Sequence, residues 1–174
     1  MLRPGMLRVS GSGGVALRDA RPVDLPRTLA LLEAAGLPRE GVAERFGAGY
    51  CVAETDGRLV GVAGVEEHGT DALLRSVAVA PRARGSGVGA ALVRDRLARA
   101  AERGAASVFL LTTTAAGFFP RLGFRRVERA EVPAEVRASE EFAALCPAGA
   151  VVMRIDLAGS GARPVPAAAG EGAG

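Results

Sequence analysis

Gly85, Gly87 and Gly89 stand at alternate positions after Arg84, and from Gly89 the apolar residues Val93, Leu97 and Ala100 recur at helical spacing. Just upstream, Leu74-Arg75-Ser76-Val77-Ala78-Val79 reads as a strand that ends at Pro81. Main-chain amides at a helix start have no intrahelical partner, and the helix dipole adds partial positive charge there. Glycine lets the chain turn sharply and approach a phosphate with no Cβ in the way. Arg84 adds a cation at the rim. The stretch Arg84-Gly85-Ser86-Gly87-Val88-Gly89 is therefore an anion cradle by chemistry alone.

Spacing narrows the anion. The loop of nucleoside triphosphatases needs Gly-Lys-Ser/Thr after its glycines; here Val88-Gly89-Ala90 follows Gly87, and the chain contains no lysine. The dinucleotide fingerprint needs Gly-x-Gly-x-x-Gly and an acidic residue ending a second parallel strand. These glycines run Gly-x-Gly-x-Gly, and no such acid is evident. A glycine-rich loop selected only for its turn remains the plain alternative.

The elements that must position the cradle alternate in period. Val15 to Arg18 reads as a strand. Asp24 reads as an N-cap with Pro26 in the first turn, and Leu25, Leu29 and Leu32 share a helical face until Gly36. A second short helix is predicted over Pro38 to Phe46. Tyr50 to Glu54 and Arg58 to Glu67 read as strands joined at Asp56-Gly57, a two-residue hairpin turn. After Gly69-Thr70 comes a strand over Ala72 to Val79, then a helix from about Gly87 to Arg103. Ser107 to Leu111 is a buried strand, Ala115 to Leu122 a short helix, and Phe124 to Val127 and Ala150 to Leu157 are strands. The order β-α-α-β-β-β-α-β-α-β-β, with three consecutive antiparallel strands before a crossover, predicts a mixed-sheet α/β fold. The expected organisation is a flexible segment over 1–13, one domain over 14–157, and a disordered Gly/Ala/Pro tail over 158–174.

Val79-x-Pro81-x-x-Arg84-Gly85-x-Gly87-x-Gly89 resembles the acetyl-CoA signature of the GNAT superfamily of N-acetyltransferases. Ala115-x-x-Phe118-Phe119-x-x-x-Gly123-Phe124 is similar to that superfamily's short helix and Gly-Phe turn. The resemblance covers roughly Val15 to Leu157. It implies a mostly antiparallel central sheet, splayed at the cofactor cleft and flanked by helices. It implies further that amides of Arg84 to Gly89, including Ser86 and Val88, bind the pyrophosphate of acetyl-CoA. Main-chain groups of Val77 and Val79 would pair with the pantetheine arm, and an amide of that strand would polarise the thioester carbonyl. The acceptor is expected to be a small-molecule amine.

The superfamily's usual acid and base are incomplete here. The tyrosine that protonates the leaving thiolate in many members aligns with Phe119. A frequent asparagine aligns with Thr112, and a glutamate base of some members aligns with Leu73. Glu66 is the base candidate, on one strand face with Val60, Val62 and Gly64, and Glu67 is second. Ser76, which points to the opposite face, is kept as a further catalytic hydroxyl. Arg75, read as sharing strand parity with Val77 and Val79, is a candidate to hold an acid group of the substrate bidentately, with Thr113 beside it. His68, in Glu67-His68-Gly69-Thr70, reads as a turn residue.

Three stretches are similar to the arsenic-resistance N-acetyltransferases: Leu73 to Val79, Leu110-Leu111-Thr112-Thr113-Thr114-Ala115-x-x-Phe118-Phe119, and Pro133-Ala134-x-Val136-x-x-Ser139-x-Glu141-Phe142-x-x-Leu145-Cys146-Pro147-x-x-Ala150-x-x-Met153. In that branch phenylalanine at position 119 is usual. The implied acceptor is the amino group of an arsenic-bearing glutamate analogue.

Composition limits the other classes. All 22 basic residues are arginine, interspersed with 19 acidic ones, so the net charge of +3 forms no basic stripe for nucleic acid. No apolar run reaches the length of a membrane span, and no secretory signal is read at the start, which points to the cytoplasm. Cys51 and Cys146 lack metal-ligand spacing and read as reduced core thiols, so no metal is expected. The sequence is silent on oligomeric state; edge strands in this fold often pair into dimers, so a homodimer is one assembly the resemblance allows.

Overall fold

The computed structural model of the protein describes residues 8–9, 14–144 and 149–157. Its centre is one open sheet of strands β1 (Arg8–Val9), β2 (Val15–Asp19), β3 (Tyr50–Thr55), β4 (Arg58–His68), β5 (Asp71–Val79), β6 (Ser107–Thr112), β7 (Arg125–Arg126) and β8 (Val151–Asp156). Their spatial order is β1-β2-β3-β4-β5-β6-β8-β7. All neighbours run antiparallel except β5 and β6. The mixed α/β reading therefore holds. Within the segment 1–13, Arg8–Val9 pair with Ala16 and Val15. The expected tail over 158–174 lies outside the described residues, as does Cys146.

The helices are α1 (Leu25–Ala34), α2 (Val42–Arg45), α3 (Val88–Glu102), α4 (Ala134–Arg137) and α5 (Glu140–Ala144). Helix α3 covers one sheet face, burying Val88, Leu92, Val93 and Ala100 against β3 to β5. Helix α1 covers the other face with Leu32 among Tyr50, Val52 and Val62. Beyond it, Val136 of α4 and Phe142 of α5 close over Leu73 and Phe109. Among the described residues no helix is long and apolar enough to cross a membrane.

Several local expectations need correction. The helix predicted over Pro38 to Phe46 shrinks to α2, because Gly41 adopts φ +72° and breaks the helical path before Val42. Ala115 to Leu122 forms turns and then one 3₁₀ turn over Phe119–Leu122, which Pro120 permits near its start and left-handed Gly123 ends. Asp24 makes no side-chain N-cap; it lies in the 3₁₀ turn Pro22–Asp24 and accepts hydrogen bonds from Arg18. The strand expected at Phe124 to Val127 is only Arg125–Arg126. Helices α4 and α5 fall in a stretch for which the sequence pattern predicts no helix.

Candidate active site

The site begins where β5 and β6 part. Their parallel pairing runs from Asp71↔Ser107 to Leu73↔Phe109 and goes no further, although β5 continues to Val79 and β6 to Thr112. On its other side β5 stays paired with β4, with an irregularity: Gly64 faces Arg75 and Val62 faces Ala78, so Ser76 and Val77 together oppose Ala63. This is a β-bulge, and Ser76 takes φ +56° within it. Such backbone is costly for a non-glycine residue and marks functional sites.

The bulge corrects a parity expectation. Arg75 does not share a face with Val77 and Val79. It lies with Leu73 and Ala78 on the face covered by α1, α4 and α5, whereas Val77 and Val79 pack towards α3. Val60 likewise packs on the α3 side, away from Val62, because a second irregularity sits at Ala53/Glu54 of the β3–β4 pair.

A cavity of about 620 Å³ opens at the splay. Arg84, Gly85, Gly87 and Gly89 line one part of it, and Leu74 to Val79 and Leu110 to Ala115 line its flanks. Ala35 to Pro38, Arg75 and Glu141 also contribute. The glycine turn has the form that an anion requires. Gly85 and Gly87 adopt φ +77° and +84°, and the first bond of α3 is donated by Ala91 N to Gly87 O at 3.0 Å. The preceding amides therefore lack helical acceptors. Arg84 folds back, its Nε donating to Val79 O at 3.1 Å. The Ser86 hydroxyl donates to Ala83 O and the Val88 side chain is buried in the core, so these two can contribute only main-chain groups.

On the flanks, Thr112 Oγ1 accepts from Ala115 N at 2.9 Å, while Thr113 is exposed at the cavity wall. Phe119 packs edge-on between Phe118 and Phe124, with centroids 5.0 and 5.6 Å away. It offers no proton.

At the wall opposite the sheet's α3 face stands a buried charge cluster. Arg75 Nη1 donates to Glu66 Oε1 at 2.6 Å, and Nη2 donates to the Glu40 carbonyl at 2.6 Å. Its Nε lies 2.9 Å from Glu141 Oε2, too far off-axis to count as a hydrogen bond. Burial opposes the Arg75 charge, but Glu141, Tyr50 and Glu66 outweigh it and raise its pKa. Burial pushes the Glu66 carboxyl up, yet hydrogen bonds with His68 and Arg75 prevail and hold it below the ordinary range. Glu66 is thus a counter-ion, which makes it a poor base. Nη1 and Nη2 of Arg75 are committed to protein partners, which leaves Nε, beside Glu141, as its donor without a hydrogen bond.

Glu141 is a residue to which the sequence alone assigns no role. Burial, helped by the Glu66 charge, outweighs the attraction of Arg75 and pushes its carboxyl up to about 8. Among the described residues, five buried side-chain atoms have no hydrogen-bond partner: Tyr50 Oη, Arg75 Nε, Ser76 Oγ, Glu141 Oε2 and Thr28 Oγ1. All but Thr28 belong to this one cluster. Unsatisfied buried groups cost about 1–3 kcal/mol each, and three of the residues, Arg75, Ser76 and Glu141, line the cavity, which marks a place for ligand or water. Cys51 is buried and free; burial pushes its thiol up, so it is an unreactive core residue.

Comparison with known proteins agrees with this geometry. Residues 47–126 match the family model described as the acetyltransferase (GNAT) domain. An uncharacterised N-acetyltransferase of Chlorobaculum tepidum is 32% identical over 88 residues, which is 50% of this chain and 56% of that relative. The Mycobacterium tuberculosis protein Rv2747, solved in complex with CoA and NLQ, superposes with a TM-score of 0.70 at 27% identity, covering 81% of this chain and 98% of that one. The Neisseria gonorrhoeae N-acetylglutamate synthase, complexed with coenzyme A and N-acetyl-glutamate, gives 0.72 at 24% identity over 82% of this chain and 35% of that one. The chain thus spans only about half or less of the length of some of its relatives. Its fold is that of the GNAT acetyltransferases it superposes on, and the family likeness is confined to residues 47–126.

Proposed function

We propose that the chain is an acetyl-CoA-dependent N-acetyltransferase acting on the amine of a small amino-acid-like acceptor. The observation that carries this is one cavity lined both by the glycine turn and by Arg75, Ser76 and Glu141, each with a buried polar atom that makes no hydrogen bond. Amides of Gly85 to Gly89 would hold the pyrophosphate. The edge of β5 beyond Leu73 leaves main-chain groups of Val77 and Val79 to meet the pantetheine arm, and an amide there polarises the thioester carbonyl. The N-acetylglutamate synthase among the similar structures supports an amino-acid acceptor.

An α-amine suits the residues present. Near pKa 8 it costs about 1.4 kcal/mol to deprotonate at pH 7, whereas a lysine-like amine costs more than about 4. With Phe119 in the wall, the departing thiolate takes its proton from water or from the attacking nitrogen. An arsenic-bearing glutamate analogue as acceptor rests on the three stretches that resemble the arsenic-resistance branch.

The test follows thiol release from acetyl-CoA with L-glutamate, its phosphorus analogue and its arsenic counterpart, with mass spectrometry of the product. Acetylation confined to the arsenic or phosphorus compound supports the narrower acceptor. Acetyl-CoA binding without turnover of any amine identifies a non-catalytic sensor, and no binding overturns the proposal.

A further inference from the structure

We infer that Glu141 of α5 is the residue that takes the proton from the acceptor's ammonium group, with Arg75 and Glu66 as the pair that positions it. This rests on the transferase reading and names a residue within it. Four observations support it. Among the described residues, Glu141 is the one carboxylate lining the cavity. Its side chain is only 6% exposed. Its Oε2 makes no hydrogen bond, its one charged contact being Arg75 Nε at 2.9 Å off-axis. The carboxylate that the sequence singles out, Glu66, is spent on Arg75 at 2.6 Å.

Burial and the groups facing Glu141 explain its raised pKa. Arg75 of β5 touches it and Glu66 of β4 adds like charge, while Tyr50 of β3 lies within electrostatic reach. Arg45 of α2 and His68 of β4 reach the same cluster through Glu66, at 3.6 and 3.4 Å. A carboxyl pushed up to about 8 matches an α-amine near 8, which is the condition for efficient proton transfer. A carboxyl at its ordinary value would accept that proton far less readily.

The step balances. Glu141 acts from its carboxylate form, which becomes populated as pH approaches 8: an N–H bond of the ammonium breaks, its proton passes to Glu141 Oε2, and the electron pair stays on nitrogen. The neutral amine attacks the thioester carbonyl carbon; a C–N bond forms and the C–S bond breaks. The second proton lost by nitrogen goes to the thiolate, and Glu141 returns its own proton to solvent.

The experiment compares two nucleophiles on wild type, Glu141→Gln and Glu141→Asp. One is the best α-amine acceptor among the three glutamate compounds, protonated at pH 7; the other is hydroxylamine, already neutral there. Acetyl-CoA affinity is measured for each protein by calorimetry. The expected result for Glu141→Gln is a fall of about 100-fold or more in kcat/KM for the α-amine. Hydroxylamine transfer and acetyl-CoA affinity should stay within a few-fold, and Glu141→Asp should recover part of the α-amine rate. An equal fall for both nucleophiles, or no fall for either, overturns the assignment while leaving the transferase reading intact. Wild type that binds acetyl-CoA but acetylates neither nucleophile overturns both.

Discussion

Arg75 Nη1 donates to Glu66 Oε1 at 2.6 Å between two side chains that are 0% and 5% exposed. The same guanidinium donates to the Glu40 carbonyl, so it ties β4, β5 and the segment between α1 and α2 at one point. Removing it would strand the buried Glu66 carboxylate without its guanidinium partner. Arg75→Met is therefore expected to cost about 3–5 kcal/mol in urea denaturation. Arg75→Met with Glu66→Met should recover much of that loss. A single-variant cost below about 1 kcal/mol would mean that water screens the pair.

Glu141 sets a pH dependence of stability whose sign differs from the usual carboxylate. The folded state keeps its proton up to about 8, whereas the unfolded chain releases it near the ordinary 4.5. Between those values the folded state binds more protons, so stability falls as pH rises. Glu141→Gln should abolish this component. Its stability relative to wild type should improve from pH 5 to pH 9 by an amount on the order of 3–5 kcal/mol. Urea unfolding of both proteins at pH 5, 7 and 9 checks this, and a constant difference between them would refute it.

The cradle and the sheet are legible in the sequence because their signals are local. Strand period, the Asp56-Gly57 turn and the glycine run each lie within a few consecutive residues, and their readings agree with β3, β4, β5 and α3. The active-site wall is not legible in the same way. The bulge at Ser76–Val77 shifts parity by one residue, so Arg75 lies on the face opposite the one that simple alternation predicts; no residue type announces a bulge at non-glycine positions. Glu141 sits on a five-residue helix too short to display periodicity. Its role depends on meeting Arg75 across the fold, and only the carboxylate in the Pro133 to Met153 stretch hints at it.

Asp24 anchors the far end of the sheet. Its side chain is fully buried and accepts from Arg18 Nη1 and Nη2 at 2.7 and 2.9 Å and from Arg21 N at 2.7 Å. The Arg18 hydrogen bonds are the largest influence, and they hold its carboxyl well below the usual range. That contribution is complete above the ordinary carboxylate pKa and is lost as pH falls below about 4. Asp24→Asn should cost about 3 kcal/mol at pH 7, the low end for a buried pair because Arg18 keeps some water contact. The difference from wild type should shrink in acid. Thermal unfolding at pH 7 and pH 3 measures it, and a pH-independent difference would remove the ion pair as the cause.

Two glycines of the cradle should fail for different reasons. Gly87 holds φ +84° at the N-cap of α3, with open space where the methyl group of an alanine would point. Gly87→Ala is therefore strained by its backbone alone and should cost about 1–2 kcal/mol of stability. Gly89 lies inside α3, where a Cβ would meet Phe118 Cζ at 3.4 Å and Val79 Cγ2 at 3.5 Å, ordinary contact distances. Gly89→Ala should thus leave the fold as stable as wild type or slightly more so, since alanine is the better helix former. The new methyl would stand in the cavity wall that the cofactor's phosphates and pantetheine approach. Acetyl-CoA affinity should drop at least about tenfold, the loss of roughly 1.4 kcal/mol, with melting temperature unchanged. Unaltered affinity in Gly89→Ala would show that the ligand does not approach α3 at this turn, and the pyrophosphate would have to be sought elsewhere along the cavity.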